Sequence, residues 1–223
     1  MLATIGDLVE DVVVRLGSAV NVASDTSSTI ERRQGGSAAN VAVAAARLGA
    51  PVRFIGQVGD DAAGRALVEE LGAAGVDVGA IRFGGTTGTI VVLVDHDGER
   101  SMLTDRGAAC ALHAPDPAWL DDVRTLHVPL YSLIEPPLST TAAQLVGLAH
   151  DRGIAVSIDL SSTAVIIALG AERVRRDLDG LRPAIVFANA DEAAALGIDG
   201  PVGSAMTVVK HGPPLGVHCK YTR

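Results

Sequence analysis

Residues 34–78, QGGSAANVAVAAARLGAPVRFIGQVGDDAAGRALVEELGAAGVDV, decide how this chain is read. The glycine pair Gly35 and Gly36 precedes a run in which Val41, Ala45 and Leu48 recur at helical spacing, and Gly49 supplies a C-cap. Val52 to Val58 then reads as a buried strand. Asp60 and Asp61 can cap a second helix through Leu71, ended by Gly72 and Gly75. With the apolar run Leu2 to Ile5 as the preceding strand, this order makes a βαβ unit.

Outward from that unit, Val12 to Leu16 is a second apolar run, and 21–33 is polar, suited to an exposed strand pair or loop. Thr89 to Val94 and Arg100 to Thr104 are short β-prone runs around Asp95-His96-Asp97-Gly98, and an Asp-Gly turn in that setting predicts a hairpin. Strands are then expected at Thr125–Pro129, Ile154–Asp159, Ala184–Ala188 and Met206–Lys210. Helices are expected between them at Ser139–Arg152, Ala168–Leu178 and Asp191–Leu196. Repeated β-then-α order predicts an α/β protein with a parallel sheet covered on both faces, and the hairpin predicts a small β appendage.

Composition limits the function classes. The chain has 223 residues, 48% of them hydrophobic and 20% charged, so it can bury a core and is not a disordered segment. Only six residues are aromatic, so the core must be aliphatic and closely packed. A net charge of −8 excludes the broad basic field by which nucleic-acid binders release counterions. No apolar run has the length of a membrane span, and the start MLATIGDLVED has neither a basic flank nor a cleavage signal. Two distant cysteines, Cys110 and Cys219, argue against a disulfide framework or a zinc site, and a cytoplasmic location is expected.

In a sheet of this kind ligands sit beyond the carboxyl ends of the strands. The polar residues just after the apolar runs form a series: Asp11, Gly35 and Gly36 with Asn40, Arg106, Glu135, Asp159, Asn189 with Glu192, and Lys210 with Gly212. A glycine pair before a helix lets a ligand approach the backbone and meet free N–H donors. Asp11 can accept from two neighbouring hydroxyls, as sugar recognition requires. The plainer readings are a simple turn at Gly35-Gly36 and a solvated acid at Asp11. Neither GxxxxGK[ST] nor a GxGxxG after a strand is present. Gly35-Gly36-Ser37-Ala38-Ala39 approximates an esterase nucleophile elbow, but the polar Glu31 to Gln34 before it cannot form the buried strand that aims such a serine.

Residues 34–78 taken whole closely resemble the N-terminal signature of the ribokinase-like (PfkB) carbohydrate kinases. GDLVED resembles that family's first strand, TTGTIVVLVDHDGERSMLTDRGAA its β lid and following turn, FANADEAAALG its Asn-x-x-Glu motif, and VVKHG the start of its nucleotide site. The resemblance implies a three-layer α/β/α sandwich forming a single domain over 1–223, with lid strands within 11–34 and 85–106. It also implies ATP-dependent transfer of a phosphoryl group to a hydroxymethyl of a sugar-like alcohol. By position, Asp11, Gly35, Gly36 and Asn40 would hold sugar hydroxyls, Arg106 would approach substrate or transferred phosphate, and Glu135 would touch sugar. Asn189 would contact nucleotide phosphate, Lys210 and Gly212 would border adenine and ribose, and Glu192 would organise Mg²⁺, mainly through water. A homodimer paired through the lids is a further implication.

One segment departs from the pattern. The family's Gly-Ala-Gly-Asp motif, which carries the anion hole and the catalytic base, should follow Val208-Val209-Lys210, where this sequence continues HGPPLGVHCKYTR. That reads as a frameshift, a truncation or a chain given only in part, so the expected fold is C-terminally incomplete, no catalytic base is assigned, and kinase turnover is expected to be negligible. The alternative is a non-catalytic sugar-binding or dimerisation module of the same fold.

Overall fold

The computed structural model describes residues 1–211 and the strand 217–220. Strands β1 (Leu2–Ile5), β4 (Val52–Val58), β5 (Asp77–Phe83), β8 (Thr125–Pro129), β9 (Ala155–Asp159), β10 (Ile185–Asn189), β11 (Met206–Lys210) and β12 (Val217–Lys220) form one sheet. Its order is β12-β11-β10-β9-β8-β1-β4-β5, with every neighbouring pair parallel except β11 and β12. The chain leaves β1 towards β4 and β5, then returns to β8 and proceeds the other way. The order therefore reverses at β1, where a crevice opens beyond the strand ends.

A second sheet, β3-β2-β6-β7, is built from β2 (Val9–Leu16), β3 (Ser28–Gly35), β6 (Thr87–Val94) and β7 (Arg100–Gly107). Strand β2 leaves the turn after β1 and pairs in parallel with β6, while β3 and β7 flank them antiparallel. In that register Asp11, Ile90 and Thr104 are lateral neighbours and point to one face. That face overhangs the crevice.

Helices fill both sides of the large sheet. α1 (Ser37–Arg47) and α2 (Ala62–Ala73) cover one face, where Ala38, Ala39 and Ala42 are fully buried beside Phe54 and Leu8. Three alanines in a row of contacts let α1 lie close to the strands. On the other face, α3 (Leu138–Asp151) buries Leu138, Ala142, Leu145, Val146 and Ala149, a helical stripe. α4 (Thr163–Leu169), α5 (Ala171–Leu181) and α6 (Ala190–Leu196) share that face and add Ile166, Val174, Leu178 and Leu196 to the core.

Several boundaries differ from expectation for local reasons. The single helix expected at Ala168–Leu178 is two helices, because Gly170 takes φ +82° and ends α4 while opening α5. The polar segment 21–33 becomes the strand β3 only from Ser28. Strand β5 lies outside the strands expected from sequence, because it is an edge strand whose half-exposed residues lack a continuous apolar run. The Asp-Gly turn does join β6 to β7, and Asp61 does cap α2, accepting from Gly64 N at 2.8 Å. Among the described residues, no helix is long and apolar enough to cross a membrane.

Candidate active site

The site begins at the turn between β1 and β2. Asp7, 9% exposed, accepts from Arg106 Nε at 2.7 Å and Nη2 at 2.8 Å, a two-point pair between the turn and the end of β7. Arg106 Nη2 also donates to the Tyr131 carbonyl at 3.0 Å, and the guanidinium lies 5.9 Å from the centre of the Tyr131 ring. Burial pulls the pKa of this guanidinium down, but the Asp7 carboxylate outweighs it and the net shift is upward.

Asp11 stands half-buried on β2, and its Oδ1 is buried without a hydrogen-bond partner. Burial raises its pKa. A Cβ on Gly35 would lie 2.1 Å from that oxygen, so glycine here makes room for the Asp11 carboxylate. Gly36 has φ +103°, and a Cβ there would lie 2.1 Å from the Asp7 carbonyl oxygen, so it is doubly constrained. Gly36 is also the N-cap of α1, whose first N–H groups receive no side-chain cap. Asn40 sits one turn into α1, exposed, with Gln34 Nε2 donating to its Oδ1 at 3.4 Å.

The opposite wall comes from β9, β10 and β11. Lys210 Nζ donates to Asp159 Oδ2 at 2.7 Å, and Asp159 Oδ1 accepts from Ser161 N at 2.8 Å. Asn189 is the N-cap of α6: its Oδ1 accepts from Glu192 N at 2.8 Å, while Glu192 Oε2 accepts from Asn189 N at 2.7 Å. The Asn-x-x-Glu spacing is thus a reciprocal capping box. Glu192 is 4% exposed, and burial raises its pKa, with the nearby Asp159 charge adding to the effect.

A cavity of about 570 Å³ brings Asp11, Gly36, Asn40, Arg106, Glu192 and Lys210 together. Gly35 lies behind Asp11 and does not line it. Asn189 is exposed beside it, with its side-chain oxygen committed to the cap. Glu135 is exposed and outside it, 4.0 Å from Cys110 Sγ. Lys210 shares one cavity with Asp11 and Asn40 and is paired with Asp159. Gly212 lies outside the described residues. Sequence reading missed Asp7, Ser37, Tyr131 and Ser161 as lining residues. Of these, only Asp7 had a usable signal, its place directly after a strand and a glycine.

Hard oxygen donors suit Mg²⁺. Glu192 contributes one carboxylate oxygen to the cap and lines the cavity, and its raised pKa reflects burial of a charge that a cation would relieve. Among the described residues, the only converging trio of His, Cys, Asp or Glu ligand atoms is Asp95, His96 and Asp97 in the hairpin turn, away from the cavity. A cation at Glu192 would therefore take most of its ligands from water and phosphate, as Mg²⁺ does.

Residues 1–200 match the family model described as pfkB family carbohydrate kinase. The chain is 34% identical over 192 residues to an ATP-dependent ribose-1-phosphate kinase of Halopiger xanaduensis, covering 83% of this chain and 60% of that protein. It is 36% identical over 131 residues to a fructokinase of Solanum tuberosum, covering 56% of this chain and 41% of that protein. The chain thus spans less than two thirds of the length of these curated relatives. Among solved structures, a fructokinase with bound ATP from Xylella fastidiosa superposes with a TM-score of 0.81 at 24% identity, over 100% of this chain and 75% of that one.

Proposed function

We propose, from the premise that this chain belongs to the pfkB family of carbohydrate kinases, that its cavity holds a sugar or sugar-like alcohol for ATP-dependent phosphorylation of a hydroxymethyl group. The observation that carries this reading is the half-buried Asp11 carboxylate, one oxygen of which is buried without a partner, on a residue lining a cavity that also presents Asn40 and Arg106. Burying such an oxygen is costly unless a donor meets it, and vicinal hydroxyls are suitable donors. Asp11 and Asn40 hold the sugar, with Gly35 making room for the Asp11 carboxylate and Gly36 lining the cavity. Glu135, exposed beside Cys110, would reach a sugar only from the rim.

Arg106 faces the phosphoryl group, while Lys210 and Asn189 border the nucleotide. Glu192 would hold Mg²⁺ through water, and the ion would supply charge neutralisation between phosphate oxygens. No described residue is assigned as the base. Asp7 and Asp159 are both committed to cations, and no Gly-Ala-Gly-Asp segment occurs within the 223 residues. For this chain the reading is accordingly sugar binding with negligible turnover, which also favours a non-catalytic sugar-binding module as the second reading. The domain is one ribokinase-like unit in the cytoplasm, and lid pairing would make a homodimer; half-exposed Val12, Val14 and Leu93 on the lid support that pairing. In this reading the partner is a small-molecule sugar, with no nucleic acid and no membrane, and the net charge of −8 opposes a nucleic-acid partner.

Calorimetry with a panel of neutral sugars, sugar acids and nucleosides tests the reading. Binding that Asp11→Asn abolishes supports it, and absence of binding by every sugar overturns it. ATP consumption at roughly 1 s⁻¹, an ordinary enzymatic rate, would overturn the negligible turnover.

A further inference from the structure

We infer that Asp7 is the positioning residue for Arg106, presenting the free Nη1 edge of its guanidinium to a phosphate group in the cavity. The inference rests on the sugar-kinase reading above. A guanidinium offers five N–H donors in a rigid plane, and which edge is free depends on what holds the others. Here Nε and Nη2 both donate to Asp7, at 2.7 and 2.8 Å, and Nη2 donates again to the Tyr131 carbonyl. Nη1 is the nitrogen left over, on a residue that lines the cavity.

Asp7 is itself held from two sides. Gly36 packs so closely on its carbonyl that no Cβ fits, and the turn carrying Tyr131 is tied to the end of β1 by Ser132 Oγ donating to the Ile5 carbonyl at 3.0 Å. Carboxylate and carbonyl acceptors are thus fixed to the large sheet, whereas Arg106 arrives from the lid strand β7. A lysine could match the charge but not the planar fork, and an arginine without Asp7 would keep the charge but lose its direction. Near the pair stand Asp105, Cys110 and Glu135, none of which reaches the guanidinium through a hydrogen bond.

The test uses the whole chain and compares affinity for D-ribose and D-fructose with affinity for their terminal phosphate esters. Asp7→Asn is expected to lower the ratio of ester affinity to neutral-sugar affinity about tenfold, and Asp7→Glu, which restores a carboxylate, to recover part of it. Equal loss for both ligand types, as a merely structural role would give, overturns the inference and leaves the sugar reading intact, as does no change in either. If no sugar or ester binds the wild-type chain, the sugar reading fails and the inference with it. A measurement on the wild-type protein covers the case in which Asp7→Asn does not fold: side-chain ¹⁵N signals of Arg106, where the ester should move Nη1 more than Nε. An equal shift at both nitrogens, or none, overturns the inference.

Discussion

Lys210 and Asp159 meet at 2.7 Å across an intervening strand, since β10 lies between β9 and β11 in the sheet. Both residues line the cavity that Asp11 also lines. Lys210 is 44% exposed and Asp159 only 18%, so the lysine can turn towards an anionic ligand while the acid stays in place. Lys210→Met should therefore cost about 1 kcal/mol or less in chemical denaturation, as for other solvent-reached ion pairs. It should lower ATP affinity measured by calorimetry at least severalfold. Unchanged ATP affinity would remove Lys210 from the nucleotide site.

Gly35 and Asp11 form a second tight relation. The 2.1 Å approach of a Cβ to Asp11 Oδ1 means that Gly35→Ala must displace the carboxylate. Sugar affinity should fall tenfold or more while the circular dichroism spectrum is retained, because Gly35 needs no left-handed backbone. Gly36→Ala should instead lower stability by about 1–3 kcal/mol, since φ +103° and the Asp7 carbonyl both oppose a side chain. The two substitutions, one residue apart, should separate binding from folding.

Asp61 joins α2 to the lid. Its carboxylate accepts from Thr87 Oγ1 at 2.6 Å, Thr87 N at 2.8 Å and Gly64 N at 2.8 Å, and the Thr87 side-chain bond is the main cause of a pKa lowered to about 2. A depressed folded-state pKa adds stability above the ordinary aspartate value near 3.9, and that gain is lost as pH falls towards about 2. Asp61→Ala should cost about 1 kcal/mol at neutral pH, in line with loss of an N-cap. Its acid-unfolding profile should be flatter than wild type between pH 4 and 2. Parallel profiles for the two proteins would contradict this account.

Glu192 gives the opposite sign. Its folded-state pKa is raised by burial, so the folded chain holds the proton more tightly than the unfolded one. Its contribution is then complete below the ordinary glutamate value near 4.3 and declines as pH rises through the raised folded value. Glu192→Gln keeps an oxygen that can accept from Asn189 N and removes the buried charge. Melting temperature at pH 7 should be equal to or above wild type without ligand, and the stabilisation produced by Mg²⁺ with ATP should be lost. A lower ligand-free melting temperature would show that the charge itself supports the cap.

Much of the framework was legible because its causes are local. The alternation of short apolar runs with helix-forming segments, the Gly49 stop after α1, the Asp61 cap and the Asp95–Gly98 turn all act within a few residues. So does the capping box of Asn189 and Glu192, whose spacing serves the helix start as well as any ligand. Residues that line the cavity were found when they followed an apolar run, as Asp11, Arg106 and Lys210 do.

What the tertiary structure alone decided is which charges meet. Asp7 and Arg106 are 99 residues apart, and Asp159 and Lys210 are 51 apart. No periodicity or cap ties such residues together. The sheet order, reversing at β1, brings their strand ends to one crevice, and a pair forms only where a donor fork and a carboxylate arrive at hydrogen-bonding distance. The amino-acid sequence alone specified a parallel α/β framework with a sugar-kinase signature, because short-range patterning determines strands, helices and turns. Folding decided that Asp11 keeps an unpaired oxygen while Asp7 does not, because burial and partner geometry belong to the packed chain and not to the residue.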